Sequence, residues 1–313
     1  MTKHRFDPER FFNTMGQHPP ALRVQPGDSV IMQTLDAIGV DRTGAQRGER
    51  PNPQSGPIWV EGALPGDTLE VRIERLTPSR AVGWTRYPLA PNVIDPDHAA
   101  QLPRRETADW AIDLEAGMVR LVDPPPALAN LALPLDPMIG CFGFAPADGE
   151  AISTSTPGAH GGNMDWRGFR PGTIVWFPVS VPGALFFAGD GHARQGDGEI
   201  SGTGVEVSME MELRLDLRKN WSIRWPRGVT SDGGELFTVG SARPLDQALQ
   251  HATTEMLAWL EADYGLDVVA ASHLMGQTVG YDVGNVFNPA YTVVCRTPVS
   301  VVEESRDREG FGV

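Results

Sequence analysis

Val205-Glu-Val-Ser-Met-Glu-Met-Glu-Leu-Arg-Leu-Asp-Leu217 alternates apolar and polar residues at every step. In an extended chain successive side chains point to opposite faces. Val205, Val207, Met209, Met211, Leu213, Leu215 and Leu217 therefore share one face, and Glu206, Ser208, Glu210, Glu212, Arg214 and Asp216 share the other. This pattern predicts a long strand in a sheet with one buried and one wet face, with the glutamates on the wet face. Upstream, Pro26-Gly-Asp28, Pro65-Gly-Asp67 and Pro171-Gly172 each supply a turn and lead into a strand-like run. Those runs are Ser29–Thr34, Thr68–Glu74 and Thr173–Phe177. The chain thus reads as mostly β up to about residue 240.

Helical spacing appears only later. Leu245, Leu249, Ala252, Met256, Leu257 and Leu260 recur on one helix face after Pro244, and Gly265 is placed to end that helix. A second, short helix is expected from Asp267. Between Pro78 and Leu128 the Pro-rich stretches, Pro88 to Pro103 and Pro124-Pro-Pro126, read as connections.

Composition narrows the function. The chain has 313 residues, 41% of them hydrophobic, which suits a folded protein with an ample core. The net charge of −14 opposes nucleic acid and anionic membrane surfaces as partners. No apolar run approaches the roughly 20 residues of a membrane span. The first ten residues lack the apolar stretch of a secretory signal, and Cys141 and Cys295 are the only cysteines. A reducing cytoplasm is the expected location. Of 26 basic residues only Lys3 and Lys219 are lysines, both in polar surroundings, so a mechanism built on a buried lysine is poorly supported.

One region is dense in glycine and in side chains that bind metals: Pro157-Gly-Ala-His160-Gly-Gly-Asn163-Met-Asp165-Trp166, then Gly189-Asp190-Gly-His192-Ala-Arg-Gln195-Gly-Asp197-Gly-Glu199. Glycine lets the backbone turn tightly and approach a ligand. Asp190 and His192, two apart, face the same way in a strand and offer a carboxylate and an imidazole to one cation, which suits a borderline metal such as zinc. Taken alone, Gly-Asp-Gly also describes a turn whose Asp caps backbone amides.

The order and spacing of these segments resemble the acetamidase/formamidase family. So do Val24-x-Pro-Gly-Asp28-x-Val30 leading to Thr34-Leu-Asp36-Ala, Asn52-Pro53 with Gly56-Pro57, Val60-Glu-Gly-Ala63, Ile139-Gly140, Ala145-Pro146 and Val181-Pro-Gly-Ala-Leu185. The resemblance runs from about residue 20 to about 300 and thins between 78 and 130 and after 265. It implies an α+β, β-rich fold. The expected arrangement is a jelly-roll-like β-sandwich body over 1–240 that carries the site, with a C-terminal helix-containing segment over 241–313 packed on it. It also implies divalent-metal dependence, hydrolysis of formamide- or acetamide-like substrates to ammonia and a carboxylate, and a homodimer. Zinc is the expected metal, with a second ion such as calcium as a further expectation.

Under that reading Asp190 and His192 are metal ligands, with Asp36 third because it closes a shared motif. Glu199 is the candidate general base. Asn163 and Gln195 are candidates to hold the substrate amide. His160 is a further ligand or an orienting group, and Asp165 and Asp197 are expected to orient the ligands. Cys141 departs from the family pattern and reads as a core thiol. Two other readings stand beside this one. A cupin-like metalloenzyme would favour His-x-His where this chain has Asp190-x-His192. A non-catalytic calcium- or carbohydrate-binding β-sandwich would suit the carboxylates but not the imidazole.

Overall fold

The computed structural model describes residues 1–306. The long alternating run is divided in two at Ser208. Met209–Arg218 lies in a nine-stranded sheet, antiparallel to Asp28–Gln33 on one side and to Thr68–Pro78 on the other. Met209, Met211, Leu213 and Leu215 are fully buried, as the alternation requires. On the opposite face Arg75 pairs with Glu210 at 2.8 Å and with Glu212 at 3.3 Å, and Lys3 also pairs with Glu212. These are cross-strand ion pairs of a largely wet surface.

Glu206–Val207 belongs to the other, ten-stranded sheet, where it pairs with Gly191 and His192 on one side and Trp84 on the other. Glu206 and Ser208 are buried, which corrects the expectation that the acids of this run form one solvated face. Alternation reports that two faces differ. It cannot report that the chain passes from one sheet to the next.

The core lies between the two sheets. Val71, Ile73, Val175, Phe177, Leu213 and Phe237 from the first meet Ile58, Phe142, Phe144, Phe186 and Val207 from the second. The next residues along the same strands, Trp176, Leu236 and Cys295, point to the opposite face and are covered by the helix Leu245–Tyr264 through Ala252, Met256, Trp259 and Leu260. At Gly240 a Cβ would stand 2.1 Å from the Ala248 carbonyl oxygen, so only glycine lets helix and strand approach this closely. Gly265 ends the helix in the left-handed conformation, and Asp267 caps the helix Val268–Thr278 by accepting from the Ala270 N–H. The expected β-rich body with late helices is therefore present. Beyond the helices the chain returns to the nine-stranded sheet as Gly280–Asn285 and Tyr291–Pro298.

The Pro-rich stretches read as connections lie outside the strands, and the rest of that region, left unassigned by the sequence pattern, forms three strands, Val82–Tyr87, Glu106–Asp113 and Met118–Leu121, side by side in the ten-stranded sheet. Proline flanks hid them, because the prolines lie between the strands. Among the described residues no helix is long and apolar enough to cross a membrane.

Asp28 anchors the N-terminal strand to this frame. His4 Nε2 donates to it at 3.0 Å, as do the backbone N–H groups of Thr2 and Gln25 at 2.6 and 3.1 Å. These donors, His4 first, pull the Asp28 carboxyl from 3.8 down to about 2. A lowered carboxyl stabilises the fold at any pH above its unfolded value, and that contribution is lost as pH falls through the folded one. Asp28→Asn is expected to lower the melting temperature at pH 7 and to flatten its fall between about pH 4 and pH 2. A melting curve unchanged over both ranges would remove Asp28 from this role.

Candidate active site

Strand pairing assembles the site. Phe186–His192 runs antiparallel to Met138–Phe144, with Gly191 opposite Ile139 and Gly189 opposite Cys141, so Asp190 lies against Gly140. At its end His192 stands opposite Glu206. The His192 Nε2 atom is 3.1 Å from Glu206 Oε1 and 3.4 Å from Asp190 Oδ1. Asp165 enters just after the strand Gly161–Asn163, its N–H donating to the Gly140 carbonyl at 3.0 Å. Glu199 closes the tight turn Asp197–Glu199. Two sets of metal-binding atoms result, Asp165–Asp190–His192 and His192–Glu199–Glu206, each within 4.8 Å, with His192 in both. All five residues are buried.

Three amide side chains orient them. Gln195 Oε1 lies 2.7 Å from His192 Nδ1, while its Nε2 donates to the Asp165 carbonyl at 2.5 Å and more loosely to that of Gly284. The Nδ1 atom is thus the donor, and Nε2 is left turned to the carboxylates. Asn52 Nδ2 donates at 2.8 Å to both Asp190 Oδ2 and Asn163 Oδ1. Asn288 Nδ2 donates to Asp165 Oδ2 at 2.6 Å and to the Asn163 carbonyl at 2.9 Å. One oxygen of each aspartate is satisfied in this way. Asp165 Oδ1, Asp190 Oδ1, His192 Nε2, Glu199 Oε2 and Glu206 Oε2 remain buried without a hydrogen-bond partner. Ion-pair distances relate some of them, but in no hydrogen-bonding geometry. Buried polar atoms are normally paired, and an unpartnered atom on each residue of the two sets is what a divalent cation would satisfy. The residues fit that group.

The backbone is bent to achieve this. Asp165, Asp190 and Glu199 have φ of 49°, 57° and 46°, and Asn52 has 39°. Left-handed backbone in residues other than glycine is sparse and gathers where a site over-determines it. Gly140 and Gly204 leave the necessary room. A Cβ at 140 would meet Asp165 Oδ1 at 2.5 Å, and one at 204 would meet the His192 ring at 2.5 Å.

Burial and mutual repulsion set the protonation. Burial, with repulsion from Glu206 and Asp190, raises Glu199 from 4.5 to about 8, even though the His192 charge works against it. Glu206 is likewise raised to about 8, by burial first and then by Asp190 and Asp165. Asp165 is pushed well above the usual carboxylate range by burial and by Glu199 and Asp190. Burial also works against Asp190, but the His192 charge and the hydrogen bonds around it hold it below 3.8. Burial would lower His192, yet Glu206 and Asp190 lift it well above 6.5.

The acetamidase/formamidase family model matches residues 120–229, the segment that contains Asp165, Asp190, His192, Glu199 and Glu206. The structure superposes on an acetamidase from Yersinia enterocolitica with a TM-score of 0.84 and 32% identity, covering 96% of this chain and 93% of that one. The chain belongs to the acetamidase/formamidase family. It is also similar to an acetamidase from Bacillus halodurans, with a TM-score of 0.83 and 31% identity over 96% of this chain and 99% of that one. The acetamidase of Mycolicibacterium smegmatis is 29% identical over 61% of this chain, and the match spans only 58% of that curated relative's length.

Within this acetamidase/formamidase fold the residues singled out from the sequence separate into two groups. Asp165, Asp190, His192, Gln195 and Glu199 come together, and Asn163 lines the adjoining pocket of about 270 Å³ with Asp190, Glu199 and Glu206. Asp36, His160 and Asp197 lie outside the two sets of metal-binding atoms. Asp36 accepts from Arg80 at 2.6 Å and Trp84 at 3.1 Å through one oxygen, and from the Ile38 and Val40 N–H groups through the other. Asp197 is exposed and takes a two-pronged contact from Arg167 at 2.5 and 3.2 Å. His160 lines a different pocket, and burial lowers it to about 4, so it is a neutral imidazole at pH 7. Cys141 is buried, donates to the Thr154 carbonyl at 3.2 Å and is held as a thiol by burial and the nearby aspartates.

Sequence reading passed over Glu206, Asn52 and Asn288. For Glu206 the signal was Gly202-Thr-Gly204 ending two residues before it, the same glycine density that marked Asp190.

Two outcomes follow from the crowding. Glu199 and Glu206 bind protons at pH values where the unfolded chain has shed them. In chelated protein their contribution is therefore fullest below about 4.5 and is lost as pH rises through about 8. The melting temperature should fall across that window, and Glu206→Gln should reduce the slope. A melting temperature rising across it would contradict this electrostatic picture. Gly140→Ala is expected to cost about 1–3 kcal/mol of stability through overpacking. Gly276→Ala, which meets nothing within 4 Å, is the control. Equal denaturation midpoints for the two variants would refute the need for glycine at 140.

Proposed function

We propose that this protein hydrolyses the C–N bond of a small amide, releasing ammonia and a carboxylate, with a divalent cation at the buried acid–imidazole cluster. The carrying observation is the set of five buried metal-binding atoms without hydrogen-bond partners. The family relatives bear names of amide hydrolases, which supports the reaction class. Asp165, Asp190 and His192 would hold the cation, with Glu206 on the other side of the imidazole, and the imidazole among the carboxylates favours zinc over a purely oxygen-seeking ion. Four carboxylates exceed what one tetrahedral zinc requires, which leaves capacity for a second ion such as calcium. When bound, the cation polarises the amide carbonyl and makes water a better nucleophile near neutral pH.

The chain's own groups do the rest. Glu199 lines the pocket and has an unpartnered Oε2. Held ionised by the charge of a bound cation, it is our general base, taking a proton at Oε2 from the attacking water and passing it to the departing nitrogen. Asn163 lines the same pocket, with its Oδ1 already accepting from Asn52, and is the group we assign to hold the amide. Both ends of the Gln195 side chain are engaged, so we assign it to fixing the His192 tautomer. Trp84, Ile38 and Phe287 limit access of bulk water.

Dialysis against a chelator should abolish turnover of acetamide, and zinc should restore it. Glu199→Gln should retain metal and lower kcat by roughly 10²–10⁴-fold with a smaller change in KM. His192→Ala should lose metal and activity together. Full turnover without detectable metal, or near-normal kcat in Glu199→Gln, would overturn this assignment. Metal binding without turnover of any amide would return the protein to the class of metal-binding β-sandwiches.

A further inference from the structure

The rim of the site is basic, although the molecule carries −14. The exposed Arg50 and half-buried Arg86 line the same pocket as the buried Glu199 and Glu206. Arg86 lies two residues after Trp84 in the strand Val82–Tyr87, so both project from one face. Its backbone is fixed by donation to Thr203 Oγ1 at 2.8 Å. Its guanidinium has no carboxylate within 4 Å and no hydrogen bond among the described residues. Behind the pocket lining, Arg105 lies over the ring of Phe287, itself a lining residue, at 5.4 Å, and donates to the Ser201 carbonyl. The Nε and Nη1 atoms of Arg105 are buried with no partner. Burial and then the Arg86 charge lower Arg105 from its ordinary value, while Glu199 draws it the other way. Two like charges are thus held together beside the pocket, one of them with desolvated donors.

Such an arrangement is unfavourable unless something anionic completes it, because desolvated guanidinium donors are costly when unpaired. Paired arginines suit carboxylates, which accept two parallel N–H bonds. Size points the same way. A water in the liquid occupies about 30 Å³, so an amide of four heavy atoms fills less than half of the roughly 270 Å³ pocket. Resting on the hydrolase reading above, we infer that the substrate is a short amide that carries a carboxylate at the end remote from the scissile bond, and that Arg86, with the Arg105 charge behind it, binds that carboxylate. The reaction balances as simple hydrolysis: water adds across the C–N bond, ammonia leaves, and a dicarboxylate remains.

Succinamate and propionamide test this, since they differ only by the terminal carboxylate. In the zinc-loaded protein kcat/KM should be at least tenfold higher for succinamate. Arg86→Gln and Arg105→Gln should each lower the succinamate-to-propionamide ratio at least tenfold, and Arg86→Lys should retain part of it. A ratio near one in the wild type, or a ratio that neither variant moves, overturns the inference. Equal losses on both substrates would mean that the arginines only tune Glu199, and overturn it as well. Calorimetric binding of succinate provides a readout that needs no turnover. Arg86-dependent binding without turnover of any amide fails the hydrolase reading and keeps the anion site. Absence of succinate binding, or binding unchanged in Arg86→Gln, overturns the site itself.

Discussion

Four carboxyl groups and one imidazole are enclosed in a single place, and their charges must be balanced without water. Buried charge is costly unless paired and hydrogen-bonded. The protein meets only part of that cost itself. Asn52, Asn288 and Gln195 each satisfy one atom of Asp190, Asp165 and His192, and leave the other turned inward. Protons on the raised glutamates supply the remainder when no cation is bound. The left-handed residues and the glycines at 140 and 204 follow from the same requirement, because atoms this close leave no room for ordinary side chains or backbone.

The two sheets hold the cluster rigid. The ten-stranded sheet supplies Asp190, His192 and Glu206 in fixed register. The edge strand Gly280–Asn285 of the nine-stranded sheet closes the site from the other side. Asn285 donates to the Asn163 and Met164 carbonyls at 3.2 and 3.3 Å, and Val286 N–H donates to the Gly198 carbonyl at 3.0 Å. One segment serves both sheets. Glu206 reaches the site, and three residues later Met209 enters the core of the sandwich. Changes in core packing therefore act directly on the geometry of the cluster.

Polarity is arranged in layers along the pocket. The lining grades from the buried Asp190, Glu199, Glu206 and Asn163, through the half-buried Trp84, Phe287 and Arg86, to the exposed Arg50. The acidic floor is suited to a cation and the basic rim to an anion. Asp36 serves this wall by holding the Trp84 indole and Arg80, so a buried carboxylate close to the site is used in packing.

The sequence by itself determined the β-rich body, the late helices with their caps at Gly265 and Asp267, and the Gly-rich segments that carry Asp165, Asp190, His192 and Glu199. These are local properties: period-two alternation, helical spacing and turn chemistry depend on neighbours within a few residues. Tertiary structure decided the rest. Whether Glu206 is wet or buried depends on which sheet receives it, and alternation is the same in both cases. Whether Asp36, Asp197 or Glu206 stands beside His192 depends on which partners the fold brings within 4 Å. Arg80 and Trp84 reached Asp36, Arg167 reached Asp197, and strand pairing set Glu206 against the imidazole. Asn52 and Asn288 lie more than 100 residues from their partners Asp190 and Asp165, a relation that no local pattern encodes.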